Sequence, residues 1–202
     1  MIDRLISSDL DISQAPVLIG MVGLLVWAFA EWLLGLLALH QPRATQRERL
    51  SFCWLNLSWG GAIGFSFLDA AALHWTTISP ELPWIRYAGI PLLGVGIAIR
   101  MVSRLTLARQ FSGYVQTTDG HRLITSGIYG SVRHPAYLGY CCLLIGFGMC
   151  FGSVGGFGCA IVSGIPALIY RIHVEEAALM RWFGQEYRDY QKRSARLIPR
   201  LW

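Results

Sequence analysis

The side chains able to do chemistry collect in two short stretches. The first reads Gln116-Thr-Thr-Asp-Gly-His-Arg-Leu-Ile-Thr-Ser-Gly-Ile-Tyr-Gly-Ser-Val-Arg-His-Pro-Ala-Tyr-Leu-Gly139. His121 and His134, Arg122 and Arg133, and Tyr129 and Tyr137 supply hydrogen-bonding groups for a polar ligand. The second stretch is Arg171-Ile-His-Val-Glu-Glu176. On a helix Arg171 and Glu175 are i and i+4 and share a face, while His173 and Glu176 point elsewhere. A guanidinium can fork onto a carboxylate or another anion, and a neighbouring acid can hold that guanidinium in place. Each group also has a plain structural reading. The Arg171–Glu175 pair suits a helix surface. His134-Pro135 suits a helix start, and Tyr129 and Tyr137 suit a membrane–water boundary.

The elements that must position these residues are membrane helices. Of 202 residues, 54% are hydrophobic and only 14% charged, and the mean hydropathy is +0.45. An average soluble domain is roughly 25% charged. This excludes a disordered, fibrous or disulfide-stapled chain. Runs of about 20 apolar residues fit a bilayer span. They occur at Val17–Leu39, Leu50–Leu73 and Trp84–Val102. The run from Ala136 to Tyr170 is too long for one span and is broken at Gly152-Ser-Val-Gly-Gly156. It reads as a helical hairpin, Ala136–Phe151 and Phe157–Tyr170, followed by a polar and aromatic tail, helical to about Tyr190. The expected fold class is an all-α polytopic membrane protein with a single membrane domain, 1–202. Residues 1–83 form an N-terminal helical region and 84–202 the core.

Charge orients the spans. Arginine-rich segments alternate with segments lacking Lys and Arg (74–83 and 152–156). Five spans with the N-terminus outside and the C-terminus in the cytoplasm satisfy the positive-inside rule at every loop. Only Arg4 and Arg86 of the 17 Lys and Arg residues then lie outside. Positive residues flanking spans explain the net charge of +5 without a nucleic-acid partner. Both polar stretches fall at the cytoplasmic mouth of the hairpin, and an ionisable cluster at a membrane boundary is a site candidate.

Other motifs read as structure. Cys53, Cys141, Cys142, Cys150 and Cys159 lie in apolar runs without metal-ligand spacing, and no metal is expected. Gly60-Gly-Ala-Ile-Gly64 offers a close-approach face for another helix. Gly146-Phe-Gly-Met-Cys-Phe-Gly152 lacks the spacing and the preceding strand of a dinucleotide fingerprint.

The order His121-x-Leu123-Ile-Thr-x-Gly127-x-Tyr129-x-x-x-Arg133-His134-Pro135-x-Tyr137-x-Gly139 resembles the cofactor motif of the isoprenylcysteine carboxyl methyltransferase family. So do Arg171-x-x-x-Glu175-Glu176, Phe183-Gly-x-Glu186-Tyr187-x-x-Tyr190 and Arg196-Leu-Ile-Pro199. The resemblance covers about 90–199, and phospholipid methyltransferases share a similar pattern. It implies S-adenosylmethionine as methyl donor, leaving S-adenosylhomocysteine. By position it implies a pocket of Gln116, His121, Leu123, Gly127, Tyr129, His134 and Tyr137. Glu176 would hold the cofactor's amino-acid end or brace the pocket. Arg171 and Glu175 match the pair beside the reacting centre, Arg171 aiming the acceptor and Glu175 holding Arg171.

The expected function is methyl transfer to a lipidic or small apolar acceptor, with a carboxylate first and a phospholipid amine as the alternative. Trp182, Phe183, Tyr187 and Tyr190 would close over the cofactor or lie along the interface. The short chain resembles prokaryotic members, placing it in the cell membrane. An NADPH-dependent membrane reductase is the alternative chemistry. The adjacent Glu175 and Glu176 disfavour the extra phosphate. A transporter or scaffold is the non-enzymatic one, and no internal repeat supports it.

Overall fold

The structure, a computed structural model, describes residues 15–37, 45–78, 82–107 and 122–199. Among these the chain is helical, with two isolated bridges, Thr77 with Ser153 and Val132 with Ala195, and no strand. The elements are α1 (Ala15–Leu37), α2 (Gln46–Leu68, extended by a π turn at Asp69–Leu73), α3 (Pro83–Leu107), a 3-10 turn (Gly127–Gly130), α4 (Pro135–Phe151), α5 (Val154–Cys159), a π turn (Ala160–Gly164), α6 (Ile165–Phe183) and α7 (Gln185–Arg193).

Three helices are long and apolar enough to cross a membrane: Ala15–Leu33, Pro83–Leu107 and the continuous Val154–Phe183. Pro135–Phe151 is a shorter apolar helix. α2 has the length, but its serines, glycines and Asn56 dilute its apolar character. It begins in a capping box before the expected start at Leu50. The Thr45 hydroxyl accepts from Glu48 N–H at 3.3 Å and the Glu48 carboxylate from Thr45 N–H at 2.7 Å.

The hairpin differs from expectation in two ways. Its turn is shorter than 152–156. Gly152 adopts φ +63° to cap α4, and the Ser153 side chain accepts from Gly156 N–H to start α5. Its second arm does not stop at Tyr170 but runs on to Phe183 as a 30-residue rod. Arg171–Glu176 therefore sits on a helix interior rather than at a helix end.

The tightest packing joins α3 to α4. A Cβ on Gly89 would lie 2.7 Å from Gly146 O, and one on Gly96 2.8 Å from Leu143 N. Gly139 and Gly146 face back at 3.0 and 2.9 Å from α3. Glycines seven residues apart on both helices let the backbones meet. The expectation for Gly60, Gly61 and Gly64 is corrected. A Cβ there would meet nothing within 4 Å, and Gly60 and Gly64 border a cavity instead.

At the end of the bundle away from the polar stretches, Asp69 is fully buried. It accepts from Trp75 N, Thr76 N, Thr76 Oγ1 and Ser153 Oγ at 2.6–3.2 Å. A buried acid satisfied this completely is a clamp, tying the segment after α2 to the α4–α5 turn.

Candidate functional site

A cavity of about 750 Å³ opens between α1, α2, α4 and the segment leading into α4. At one end it is polar, with Arg122, Arg133, His134, Tyr137 and Glu175 among its walls; at the other it is apolar, with Leu24, Ile63, Leu143 and Phe147. From Phe52 to Gly64 along α2 it extends about 18 Å.

Local sequence places the polar end. Pro135 at the first turn starts α4 directly after His134, so α4 carries Tyr137 into the wall. The last described residues fold back beside this entry. Ala195 O and Arg196 O accept from Arg133 N and His134 N at 2.8 and 3.1 Å, and Ser131 O accepts from Ala195 N at 2.9 Å.

Glu176 holds this seam together. It points toward the connector, and its carboxylate meets Arg133 Nε at 3.0 Å, Arg196 Nη2 at 2.9 Å and His134 Nε2 at 3.4 Å. Glu176 is not among the cavity-lining residues, and its bonds tie the start of α4 to the segment around Arg196. Arg133 also donates to the carbonyls of Gln191 and Ser194. Arg133, noted in the first polar stretch, and Arg196 were not among the cofactor-pocket residues that the family resemblance implies. Both lie inside the quoted motifs, and their pairing across 43 residues or fewer of intervening chain was not visible in spacing.

Tyr137 Oη donates to Glu175 Oε2 at 2.6 Å and accepts from Arg171 Nε at 3.1 Å. Arg171 and Glu175 themselves are 4.0 Å apart. Arg171 is only 2% exposed. Its Nη1 donates to Ser51 Oγ and Glu48 O at 3.0 and 3.2 Å. The surface-pair reading is thereby removed, because such a pair would stand in solvent. The expected role of Arg171, aiming the acceptor, meets a buried guanidinium here. Arg171 is absent from the cavity wall, and its guanidinium reaches the cavity through Tyr137.

Of the other expected cofactor residues, Leu123, Tyr129, His134 and Tyr137 line the cavity. Gly127 lies behind it and supplies a φ of +60° to the turn that presents Tyr129. Gln116 and His121 lie outside the described residues. Phe183, Tyr187 and Tyr190 line the cavity, whereas Trp182 is exposed. Burial raises the Tyr129 and Tyr187 hydroxyls and pushes Tyr190 up to about 12. They remain donors throughout the physiological range. Tyr190 donates to Tyr129 O.

A second charged group was missed: Glu31 of α1 with Arg100 and Arg104 of α3, all on the cavity wall. Arg100 Nε meets Glu31 Oε1 at 2.6 Å, and Arg104 pairs with Glu31 Oε2. The available signal was Glu31 itself, an acid in an apolar span.

The helices and this cavity define a protein with helices of membrane-spanning length and a cavity with polar and apolar walls. The sequence profile of the phospholipid methyltransferase family matches residues 84–186. The chain is 32% identical over 124 residues to the rat protein-S-isoprenylcysteine O-methyltransferase, covering 59% of this chain and 43% of that protein. It is 27% identical over 165 residues to a probable protein-S-isoprenylcysteine O-methyltransferase of rice (Oryza sativa subsp. indica), covering 76% and 83% respectively. It thus spans less than half the length of the animal relatives it matches. A solved eukaryotic intramembrane Ras methyltransferase, isoprenylcysteine carboxyl methyltransferase, shares its fold. The TM-score is 0.56 at 19% identity, over 92% of this chain and 85% of that one.

The chain belongs to the phospholipid methyltransferase family. Its curated relatives are isoprenylcysteine O-methyltransferases, in keeping with the resemblance of its two polar stretches.

Proposed function

We propose that this protein is an integral membrane methyltransferase that uses S-adenosylmethionine to methylate the polar end of a lipidic acceptor. The observation that carries this reading is a cavity that is polar at the connector and apolar along α2 and α4. An amphiphile whose head reacts and whose chain stays in the membrane matches such a shape. The isoprenylcysteine relatives favour a carboxylate acceptor, and the family match favours phospholipid amine methylation as the second reading.

The residues present fit the methyl donor. Tyr187 lines the cavity, yet its buried hydroxyl has no hydrogen-bond partner among the described residues. Such an orphan suits a polar ligand. Leu123, Tyr129, His134 and Tyr137 would form the rest of the pocket, with Gly127 shaping it and Glu176 bracing it. Gln116 and His121 complete the motif by position. When bound, the donor supplies an electrophilic methyl group on a cationic sulfur.

The work left to the protein is positioning and charge control. A carboxylate acceptor is already ionised at neutral pH, so no strong base is needed. Glu175 is 26% exposed on the cavity side and places a negative charge at the polar end, opposite in sign to a sulfonium. Arg171, anchored by Ser51 and Glu48, holds Tyr137, and Tyr137 aims Glu175. Arg171 is thus a positioning residue. With an amine acceptor, Glu175 would take up the released proton. We place the N-terminus outside and the polar end of the cavity in the cytoplasm, where a soluble donor enters while the acceptor comes sideways from the bilayer.

Calorimetric titration of the purified protein with S-adenosylhomocysteine, and with NADPH as control, tests the cofactor. Binding of NADPH alone overturns the proposal in favour of a reductase. A labelled-donor screen of prenylcysteines, phospholipids and small thiols then identifies the acceptor.

A further inference from the structure

The face of α2 that lines the cavity is apolar at Phe52, Leu55, Trp59, Gly60, Ile63 and Gly64, with one polar side chain among them, Asn56. Asn56 is exposed there, and the chemistry above does not use it. An amide set among apolar groups is costly unless its hydrogen-bonding atoms are met. Asn56 meets one of its own: Nδ2 donates to Phe52 O at 2.7 Å. That bond fixes the orientation of the amide, because the reverse placement would set two carbonyl oxygens against each other. Oδ1 is the atom left over, and no N–H or O–H among the described residues donates to it.

Approach to this oxygen is open. Side chains on a helix lean over the preceding turn, so the residue four places on shares the face and shields it. For Asn56 that residue is Gly60, and a Cβ there would meet nothing within 4 Å. The glycine leaves the amide uncovered toward the cavity.

Depth gives the oxygen a partner. Asn56 follows Ser51 by five residues, about 7.5 Å along the helix axis. Ser51 anchors Arg171, which holds Tyr137 and through it Glu175. Two turns beyond Asn56, Ile63 packs with Leu143 and Phe147 at the apolar end. The open carbonyl therefore stands between the reacting end and the chain-holding end.

We propose that Asn56 is a specificity-determining residue whose Oδ1 accepts a hydrogen bond from a donor, such as an amide N–H, where the acceptor's head joins its chain. This deepens the reading above and rests on the cavity being the acceptor site of a methyltransferase. An acceptor joined through an ester would leave Oδ1 unmet and bind less well.

The test is equilibrium binding of radiolabelled N-tetradecylsuccinamate, its N-methyl amide and tetradecyl succinate to the full chain in nanodiscs at pH 8, with empty nanodiscs as blank. All three present a carboxylate, a carbonyl at the junction and the same chain. Only the first has an N–H there. It should bind about 3- to 10-fold tighter than the other two. Asn56→Leu should bring that preference below about twofold and leave tetradecyl succinate binding in place, since Asn56 bonds its own helix. Equal binding of the three probes to the wild type overturns the proposal. So does an N-methyl amide that binds as tightly as the N–H amide, because amide polarity and not the donor would then be read. A preference unchanged in folded Asn56→Leu overturns it as well and leaves Asn56 a locally bonded helix residue. S-adenosylhomocysteine affinity, measured on the same samples, separates the failures: its binding without any probe preference removes the role of Asn56 alone, and its absence removes the methyltransferase reading.

Discussion

The Tyr137 hydroxyl bridges Glu175, to which it donates at 2.6 Å, and Arg171, from which it accepts at 3.1 Å. Tyr137→Phe removes both bonds without opening a large void. Its loss should slow single-turnover methyl transfer by about 10- to 100-fold, as expected for a hydrogen bond to a charged group. S-adenosylhomocysteine affinity should fall less. Rates within twofold of wild type would take Tyr137 out of the reacting end.

Arg171 is buried among Tyr137, Ser51 and the Glu48 carbonyl. Arg171→Ala removes these bonds and the cation beside Glu175, although Ser51 Oγ still donates to Glu48 O and Tyr137 to Glu175, and should cost about 3–5 kcal/mol of stability. Arg171→Lys keeps the charge and should fold, but it cannot span Tyr137 and Ser51 with one planar fork. A kcat that drops with little change in acceptor KM is the outcome expected of a role exerted through Tyr137. A rise in KM with unchanged kcat would instead mean direct acceptor binding.

Glu176 joins Arg133, His134 and Arg196. Glu176→Gln should loosen the segment around Ala195 from the start of α4. Amide exchange at Arg133, His134 and Ala195, whose N–H groups bond across this seam, should quicken by about 10-fold or more. His134→Ala should weaken S-adenosylhomocysteine binding in a protein that still folds. Unaltered exchange in Glu176→Gln would mean that the backbone bonds alone hold the seam.

Gly89, Gly96, Gly139 and Gly146, at the α3–α4 contact, should not accept a larger residue without cost. Gly96→Ala places a Cβ 2.8 Å from Leu143 N and should cost about 1–3 kcal/mol by overpacking. Gly60→Ala meets nothing within 4 Å and should be neutral, or stabilising by up to about 1 kcal/mol through helix propensity. Thermal melts in detergent compare the two.

Orientation is checked by labelling from outside on a cysteine-free background. Val154→Cys, at an exposed position beside the hairpin turn, should react with an impermeant maleimide. Arg47→Cys should not. The reverse result inverts the topology.

Much of this protein is legible in its residues taken in order. Apolar length sets the helices, arginine placement sets the expected orientation, and the Arg133-His134-Pro135 and Arg171-x-x-x-Glu175-Glu176 blocks mark the polar end. These features are local: span length, a helix-starting proline and i,i+4 spacing all act within a few turns. Tertiary structure alone decided which groups meet. Gly60 and Gly64, four residues apart, have the spacing of a close-approach face, yet they border a cavity, whereas Gly89 and Gly96, seven apart, touch α4. Which glycines meet another helix depends on where the partner helix packs. Arg171 and Glu175 share a face by periodicity, but only the packing of α2 buried the arginine and left the acid on the cavity. Glu31 meets Arg100 and Arg104 across 69 and 73 residues. A contact of that range depends on how helices from distant parts of the chain assemble, and side-chain spacing along one helix carries no record of it.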